Sequence, residues 1–311
     1  MAGRDADRPQ NIKLGVSLII ATALTISLQD VVFKIFSSNL TLWQIFTLRG
    51  ILAVPLLIMS TQVYGQQRGI ICLAFTPWPL FRSLCITMTF IAFYAAVPFL
   101  SLATVGAANY IAPVFVVLLS AWVIKETVGP LGWLGVLLGF AGVLILVQPG
   151  TDAFSPWTLL PIVGAAFYAV ANITMRTRCQ QIPLAAIALS QNFIMLLAGL
   201  TISLVLVWLH PQGEIARAYP YVLGQWTAVQ ATDWMVLLLL AAFSIVIGMM
   251  LAGAYKAAPA SVVSTFEYSY LVFVSIWDMI FFSTMPTAHS AVGTALIVFA
   301  GLAVLYRYRS R

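Results

Sequence analysis

The feature that most constrains this chain is a succession of apolar runs, each long enough to cross a lipid bilayer. Roughly 30 Å of hydrocarbon at 1.5 Å per helical residue requires about 20 mostly apolar residues. About ten such stretches are read here, at approximately 14–36, 40–60, 80–98, 102–124, 130–147, 156–176, 183–209, 233–256, 260–282 and 288–306. Charged residues make up only 8% of the chain, against about 25% in a soluble domain. The runs end at groups such as Thr76-Pro77-Trp78-Pro79, Val128-Gly129-Pro130, Gln148-Pro149-Gly150 and His210-Pro211-Gln212-Gly213, which read as turns. A β-barrel requires strict alternation over about ten residues, and these runs are too long and too uniformly apolar for that. The expected class is an all-α integral membrane protein of ten transmembrane helices.

Basic residues are retained on the cytoplasmic side of a membrane, so their distribution tests the helix count. In a ten-span arrangement Arg4, Arg8, Lys13, Arg68, Arg82, Lys125, Arg176, Arg178, Lys256, Arg307, Arg309 and Arg311 fall on one side, with Arg217 alone opposite. Lys34 and Arg49 fall within spans. The asymmetry places both termini in the cytoplasm and assigns the net charge of +6 to topology instead of nucleic-acid binding. The first span carries Asp30 and Lys34 and no small-residue cleavage site, so it reads as a retained helix and not a secretory signal. Cys72, Cys85 and Cys179 match no metal spacing and read as structural thiols.

The chain also resembles itself. Tyr110 to Leu146 aligns with Thr265 to Leu305, bringing Trp122 onto Trp277 and, after a slip of a few residues, Phe140-Ala141-Gly142 onto Phe299-Ala300-Gly301. A unit of five helices repeated once must enter the bilayer from the opposite face. The expected organisation is a tail over 1–13, two inverted five-helix repeats over 14–148 and 149–306 around a central cavity, and a tail over 307–311. Inverted repeats lend themselves to alternating access around a midplane site. Gly132, Gly135, Gly139, Gly142, Gly293 and Gly301 stand at spacings that let helices approach closely, with direct substrate contact the lesser alternative. Pro55, Pro98, Pro113 and Pro161 are hinge candidates or simple kinks.

The stretch Ile111-Ala112-Pro113-Val114-Phe115, followed by Trp122, Lys125-Glu126, Pro130 and Gly135 to Leu146, resembles the EamA-type members of the drug/metabolite transporter superfamily. Phe266-Glu267-Tyr268-Ser269-Tyr270-Leu271, Pro286, Gly293, Leu296-Ile297 and Gly301 give a weaker echo of the second EamA unit. The resemblance implies a ten-helix inner-membrane carrier, often exporting amino acids or related metabolites, with a cavity between its halves. The second repeat has Phe281 or Ser283 near the position of Glu126, a departure from any paired role for that acid.

A charge at the centre of a membrane helix costs about 2.5 to 3.5 kcal/mol on insertion scales, so each one needs a partner or a purpose. Asp30 and Lys34 stand one helical turn apart, with Gln29 extending their polar stripe, and Arg49 lies at comparable depth in the next span. These three read as a gate or anion-recognising patch, or equally as a structural ion pair. Glu267 and Asp278 share one face of the ninth span, and Glu267 is the leading candidate for proton binding, against a buried acid satisfied by a neighbour. Asn109, Tyr110, Asn172, Gln191 and Asn192 add polar groups that lipid would not solvate, whether as cavity lining or as interhelical hydrogen bonds. Tyr94, Tyr168, Tyr268, Tyr270 and Trp277 are candidate aromatic walls, whereas Trp43, Trp78, Trp133, Trp157 and Trp208 read as interface anchors.

Arginine, carboxylate, amide and aromatic groups together suit an amino acid. The expected function is secondary transport of small metabolites, amino acids foremost, with protons as the candidate coupling partner. A channel or facilitator is the alternative. An intramembrane enzyme is remote, because no H-E-x-x-H motif occurs and the histidines, His210 and His289, sit near loops. No phosphate-binding loop is present, and no cofactor or metal is expected.

Overall fold

The computed structural model describes residues 11–36, 40–63, 67–96, 99–100, 102–148, 150, 155–209, 214–282 and 288–309, and among these every regular element is helical. In chain order the α-helices are α1 (Ile12–Phe36), α2 (Leu42–Val63), α3 (Gln67–Ala74), α4 (Pro77–Ala96), α5 (Leu102–Asn109), α6 (Ala112–Leu119) and α7 (Pro130–Val147). They continue with α8 (Leu159–Arg178), α9 (Leu184–Leu209), α10 (Glu214–Ala218), α11 (Pro220–Leu223), α12 (Ala231–Ala257), α13 (Ala260–Glu267), α14 (Ser269–Phe282) and α15 (Ala288–Arg309). A π-helical turn, Ser120–Ile124, extends α6.

Seven spans meet the length and hydropathy of a membrane crossing, and three shorter apolar helices, Ala112–Ile124, Pro130–Ile145 and Ala291–Ala303, occupy the positions of the fourth, fifth and tenth expected spans. The fourth and ninth crossings are each two pieces, α5 with α6 and α13 with α14. One boundary moves with consequence. Pro77 and Pro79, read above as a turn, form the first turn of α4, where a missing N–H leaves no intrahelical bond unmade. Arg82 therefore stands inside the bundle instead of at its rim, only 1% exposed.

The packing pairs are reciprocal. α1 lies on α12 and α4 on α8; α4 lies on α9 and α2 on α12; α6 lies on α8, and α13 and α14 lie on α1. α2 packs against α9, α7 against α15 and α6 against α13. Glycine sets the closest approach. A Cβ on Gly50 of α2 would come within 2.7 Å of Leu196 Cβ on α9, and one on Gly199 of α9 within 2.8 Å of Thr47 Oγ1 on α2. On α7, a Cβ at Gly142 would meet the Gly293 carbonyl of α15 at 2.8 Å. Gly50 and Gly199 were not legible as contact positions, because each needs its partner helix to be known.

Of the proline candidates, Pro113 sits at the start of α6, directly after a break, and Pro55 lies exposed within α2. Pro161 is buried in the first turn of α8, where it starts a helix instead of bending one. Pro98 lies outside the described residues. Trp43 corrects its expected role: it is 5% exposed and donates from Nε1 to the Val222 carbonyl at 2.8 Å, so it packs beneath α11 and does not face an interface. Trp78, Trp157 and Trp208 are exposed. Trp122 is 85% exposed while its repeat counterpart Trp277 bonds to Ser27, so the two occupy different environments.

Candidate functional site

The two broken crossings meet at their breaks. Regular helix stops at Asn109 and resumes at Ala112, because Pro113 lacks an N–H and disfavours helical geometry before it. The corresponding interruption falls at Tyr268, between α13 and α14. The Tyr268 hydroxyl donates to the Tyr110 carbonyl at 3.3 Å, and the Tyr110 ring lies 6.3 Å from that of Tyr268 and 6.1 Å from that of Tyr270. Tyr268 is fully buried over Gly139, whose absent side chain makes room: a Cβ there would lie 2.4 Å from the Tyr268 ring. The backbone keeps right-handed helical angles at both interruptions, φ −70° and ψ −13° at Ile111 and φ −62° and ψ −17° at Tyr268, so the crossing helices are interrupted in their hydrogen bonding and not unwound.

Glu267 ends α13 beside this crossing. Its Oε1 accepts from the Tyr255 hydroxyl of α12 at 2.6 Å and the Tyr168 hydroxyl of α8 at 2.8 Å. Asn172 donates from Nδ2 to the Tyr168 carbonyl one turn away at 3.1 Å. The acid is thus held by two neutral hydroxyls, with no cation paired to it among the described residues. Tyr255, which sequence reasoning did not single out, is fully buried and belongs to this group.

Asp30 occupies the other side of the crossing. Tyr270 donates to its Oδ2 at 2.6 Å, and Trp277 donates from Nε1 to Ser27 Oγ at 2.9 Å, so α14 is tied twice to α1. The expected meeting of Asp30 with Arg49 is not what the described residues show. Arg49 points its Nη2 at Met195 Sδ, 3.6 Å away, and lies 5.2 Å from the Phe46 ring centroid. Tyr94 and Tyr221 stand in the electrostatic field of both charges. Gln29 Oε1 and Asn109 Oδ1 are buried without partners. Asn192 is explained by packing: Nδ2 donates to Ala188 O at 2.9 Å, and Ser244 Oγ on α12 donates to Oδ1 at 2.6 Å. The side chains of Lys34 and Asp278 lie outside the described residues.

Arg82 is the residue that sequence reasoning misplaced. On α4, it donates from Nη1 to Gln191 Oε1 of α9 at 3.5 Å, while its own Nε, Gln191 Nε2 and Asn172 Oδ1 are buried without partners. No carboxylate pairs with it among the described residues. Its field reaches Tyr168, Cys85 and Cys179. Cys179, one residue beyond α8, has its thiol pushed up by burial against the opposing pull of Arg82, which leaves it unreactive.

At the end of the bundle nearest α3, Arg176 of α8 makes a short ion pair with Glu126, and its Nη1 also donates to the Ala258 carbonyl at 2.7 Å. Ser120 donates to the second Glu126 oxygen. Glu126 therefore ties the end of the fourth crossing to the end of α8, a partner that its own repeat does not supply. Among the described residues no group of three or more His, Cys, Asp and Glu could hold a metal.

Residues 13–148 match the EamA-like transporter family. The whole chain is similar to the pseudopaline exporter CntI of Pseudomonas aeruginosa, 24% identical, with 94% of this chain and 96% of that protein covered. A riboflavin transporter of Brucella anthropi is 27% identical over 64% of this chain and 65% of its own length. An S-adenosylmethionine uptake transporter of Rickettsia prowazekii is 20% identical over 94% of this chain and 92% of its own. A solved crystal structure superposes with a TM-score of 0.74 at 18% identity over 97% of this chain and 100% of that chain, which establishes a shared fold.

Proposed function

We propose that this chain, similar over residues 13–148 to the EamA-like transporter family and over most of its length to named small-metabolite transporters, is an EamA-type member of the drug/metabolite transporter superfamily and carries amino acids across the inner membrane by alternating access, in the direction of export. The observation that carries this reading is the crossing of two interrupted helices at Tyr110 and Tyr268, flanked by Glu267 and Asp30, two intramembrane carboxylates that accept from tyrosine hydroxyls and pair with no cation among the described residues. An ionisable group inside a membrane protein is a functional hypothesis by default, and acids at a helix break suit recognition of a cationic amine or a proton. Tyr94, Tyr110 and Tyr270 add aromatic surface, and Arg49 adds a cation on the Asp30 side. Opposite charges with aromatic walls suit a zwitterion bearing an apolar side chain.

The reciprocal packing of α1 on α12 with α4 on α8, and of α4 on α9 with α2 on α12, supports inverted repeats over 14–148 and 149–306. Such halves exchange conformations, which favours a carrier over a continuous pore. The excess of basic residues on one side of the ten-span arrangement supports a topology with both termini in the cytoplasm. The named relatives move pseudopaline, riboflavin and S-adenosylmethionine, which supports a small-molecule solute.

The test is counterflow of labelled amino acids in proteoliposomes, comparing wild type with Glu267→Gln under an imposed pH gradient. Saturable exchange that responds to pH only when Glu267 is intact is the expected result. Saturable but pH-insensitive exchange in both proteins would leave a facilitator, and unsaturable flux would leave a channel. Exchange of another metabolite class with none of any amino acid would remove the substrate assignment.

A further inference from the structure

The best-buried cation of the described bundle is also its least satisfied. Arg82 is 1% exposed, its one described hydrogen bond runs 3.5 Å to a neutral amide, and its Nε donates to nothing. Gln191, which accepts that bond, is 8% exposed and has its own Nε2 unpartnered. The nearby hydroxyls are already engaged, since Ser83 bonds Ser190 and Thr87 bonds the Ser83 carbonyl. Two N–H donors on facing helices, one from a guanidinium, therefore lack an acceptor in a water-poor interior. A buried arginine of this kind is stabilised when an oxyanion accepts from it, ideally from two donors at once.

We propose that Arg82 of α4 and Gln191 of α9 form the oxyanion subsite of the transport pathway, so that the solute this protein moves carries a carboxylate. The inference rests on the carrier reading above and adds to it which group of the solute is recognised, and where. Tyr168 separates the two ends of the arrangement. Its hydroxyl bonds Glu267 on one side, and it stands in the field of Arg82 on the other. The unpartnered Asn172 Oδ1 lies on the same helix, one turn from Tyr168. Donors without acceptors at Arg82 and Gln191, with acceptors at Glu267 and Asn172, match a solute bearing an anionic group and a cationic amine. A phosphate-bearing solute shares the anionic chemistry, and the test separates the two. Because α4 and α9 close over Arg82 in this conformation, the solute reaches it as the helices part.

The experiment measures thermal unfolding of the purified full chain in detergent against the proteinogenic amino acids, their carboxamides, succinate and inorganic phosphate. At least one amino acid is expected to stabilise wild type in a saturable manner while its carboxamide does not. Arg82→Lys, which keeps the charge and loses the planar fork, is expected to raise the half-saturating concentration at least tenfold, and Gln191→Leu severalfold; Arg82→Gln abolishes the response. If Arg82→Gln does not fold, the other two variants still decide. Stabilisation by succinate or phosphate alone, lost in the same variants, would retain the oxyanion subsite and remove the amino-acid reading, phosphate alone replacing carboxylate by phosphate. Equal stabilisation by acid and carboxamide, or unchanged affinity in the variants, would overturn the subsite while leaving the carrier reading intact. No stabilisation of wild type by any of these anions would overturn it as well.

Discussion

The Tyr268 hydroxyl donates to the Tyr110 carbonyl at 3.3 Å, joining the break in the ninth crossing to the break in the fourth. The contact satisfies a carbonyl at the break with a side chain from the other repeat, and it depends on Gly139, over which the Tyr268 ring lies.

Gly139→Ala is accordingly expected to be worse than removing the hydrogen bond itself. A methyl 2.4 Å from the ring forces Tyr268 to shift, an overpacking cost of about 1–3 kcal/mol. Tyr268→Phe keeps the packing and removes one bond, about 1 kcal/mol. Thermal unfolding in detergent would rank the two; equal or reversed effects would show that the ring position is not what stabilises the crossing.

The Glu126–Arg176 pair is mostly buried, with side-chain exposures of 17% and 11%, so solvent screens it only in part. Arg176→Gln is expected to destabilise by about 2–3 kcal/mol and Glu126→Gln by less, because Arg176 also serves the Ala258 carbonyl. A double-mutant cycle should return a coupling of about 1 kcal/mol or more. Strict additivity would mean that the pair is incidental.

Gln44 clamps the segment before α12. Its Nε2 donates to Thr227 O at 2.8 Å, and its Oε1 accepts from Thr227 N at 3.1 Å. Gln44→Leu removes these bonds and a third, from Thr227 Oγ1 to Gln44 Oε1 at 3.3 Å, and is expected to raise hydrogen exchange over 224–230 by about tenfold, the equivalent of about 1.4 kcal/mol. Exchange that stays at the wild-type rate would place the restraint on Trp43 and Trp226 instead.

Cys72 on α3 is the exposed thiol of the three, while Cys85 and Cys179 are buried. Under the proposed topology α3 faces the cytoplasm, so a membrane-impermeant maleimide is expected to leave intact cells unlabelled and to label Cys72 only after permeabilisation. Labelling of intact cells would invert the assigned orientation.

The sequence by itself determined how many times the chain crosses a membrane, because bilayer thickness and helical rise set a length that every run of apolar residues must meet. It also marked Glu267 and Asp30, and Pro113 as a hinge candidate or simple kink, since charge and proline inside such a run stand out without knowledge of neighbours. What it could not determine was who meets whom. Asp30 finds Tyr270, 240 positions away, and not Arg49 one helix on. Glu126 finds Arg176 across the repeats. Arg82 counts in sequence among the basic residues of one membrane side, and only the folded bundle, in which Pro77 and Pro79 open α4, shows that arginine buried. Periodicity and hydropathy are properties of one segment against the lipid. Partnership between side chains depends on the rotation and register of one helix against another, which close packing at Gly50, Gly199 and Gly142 decides in three dimensions.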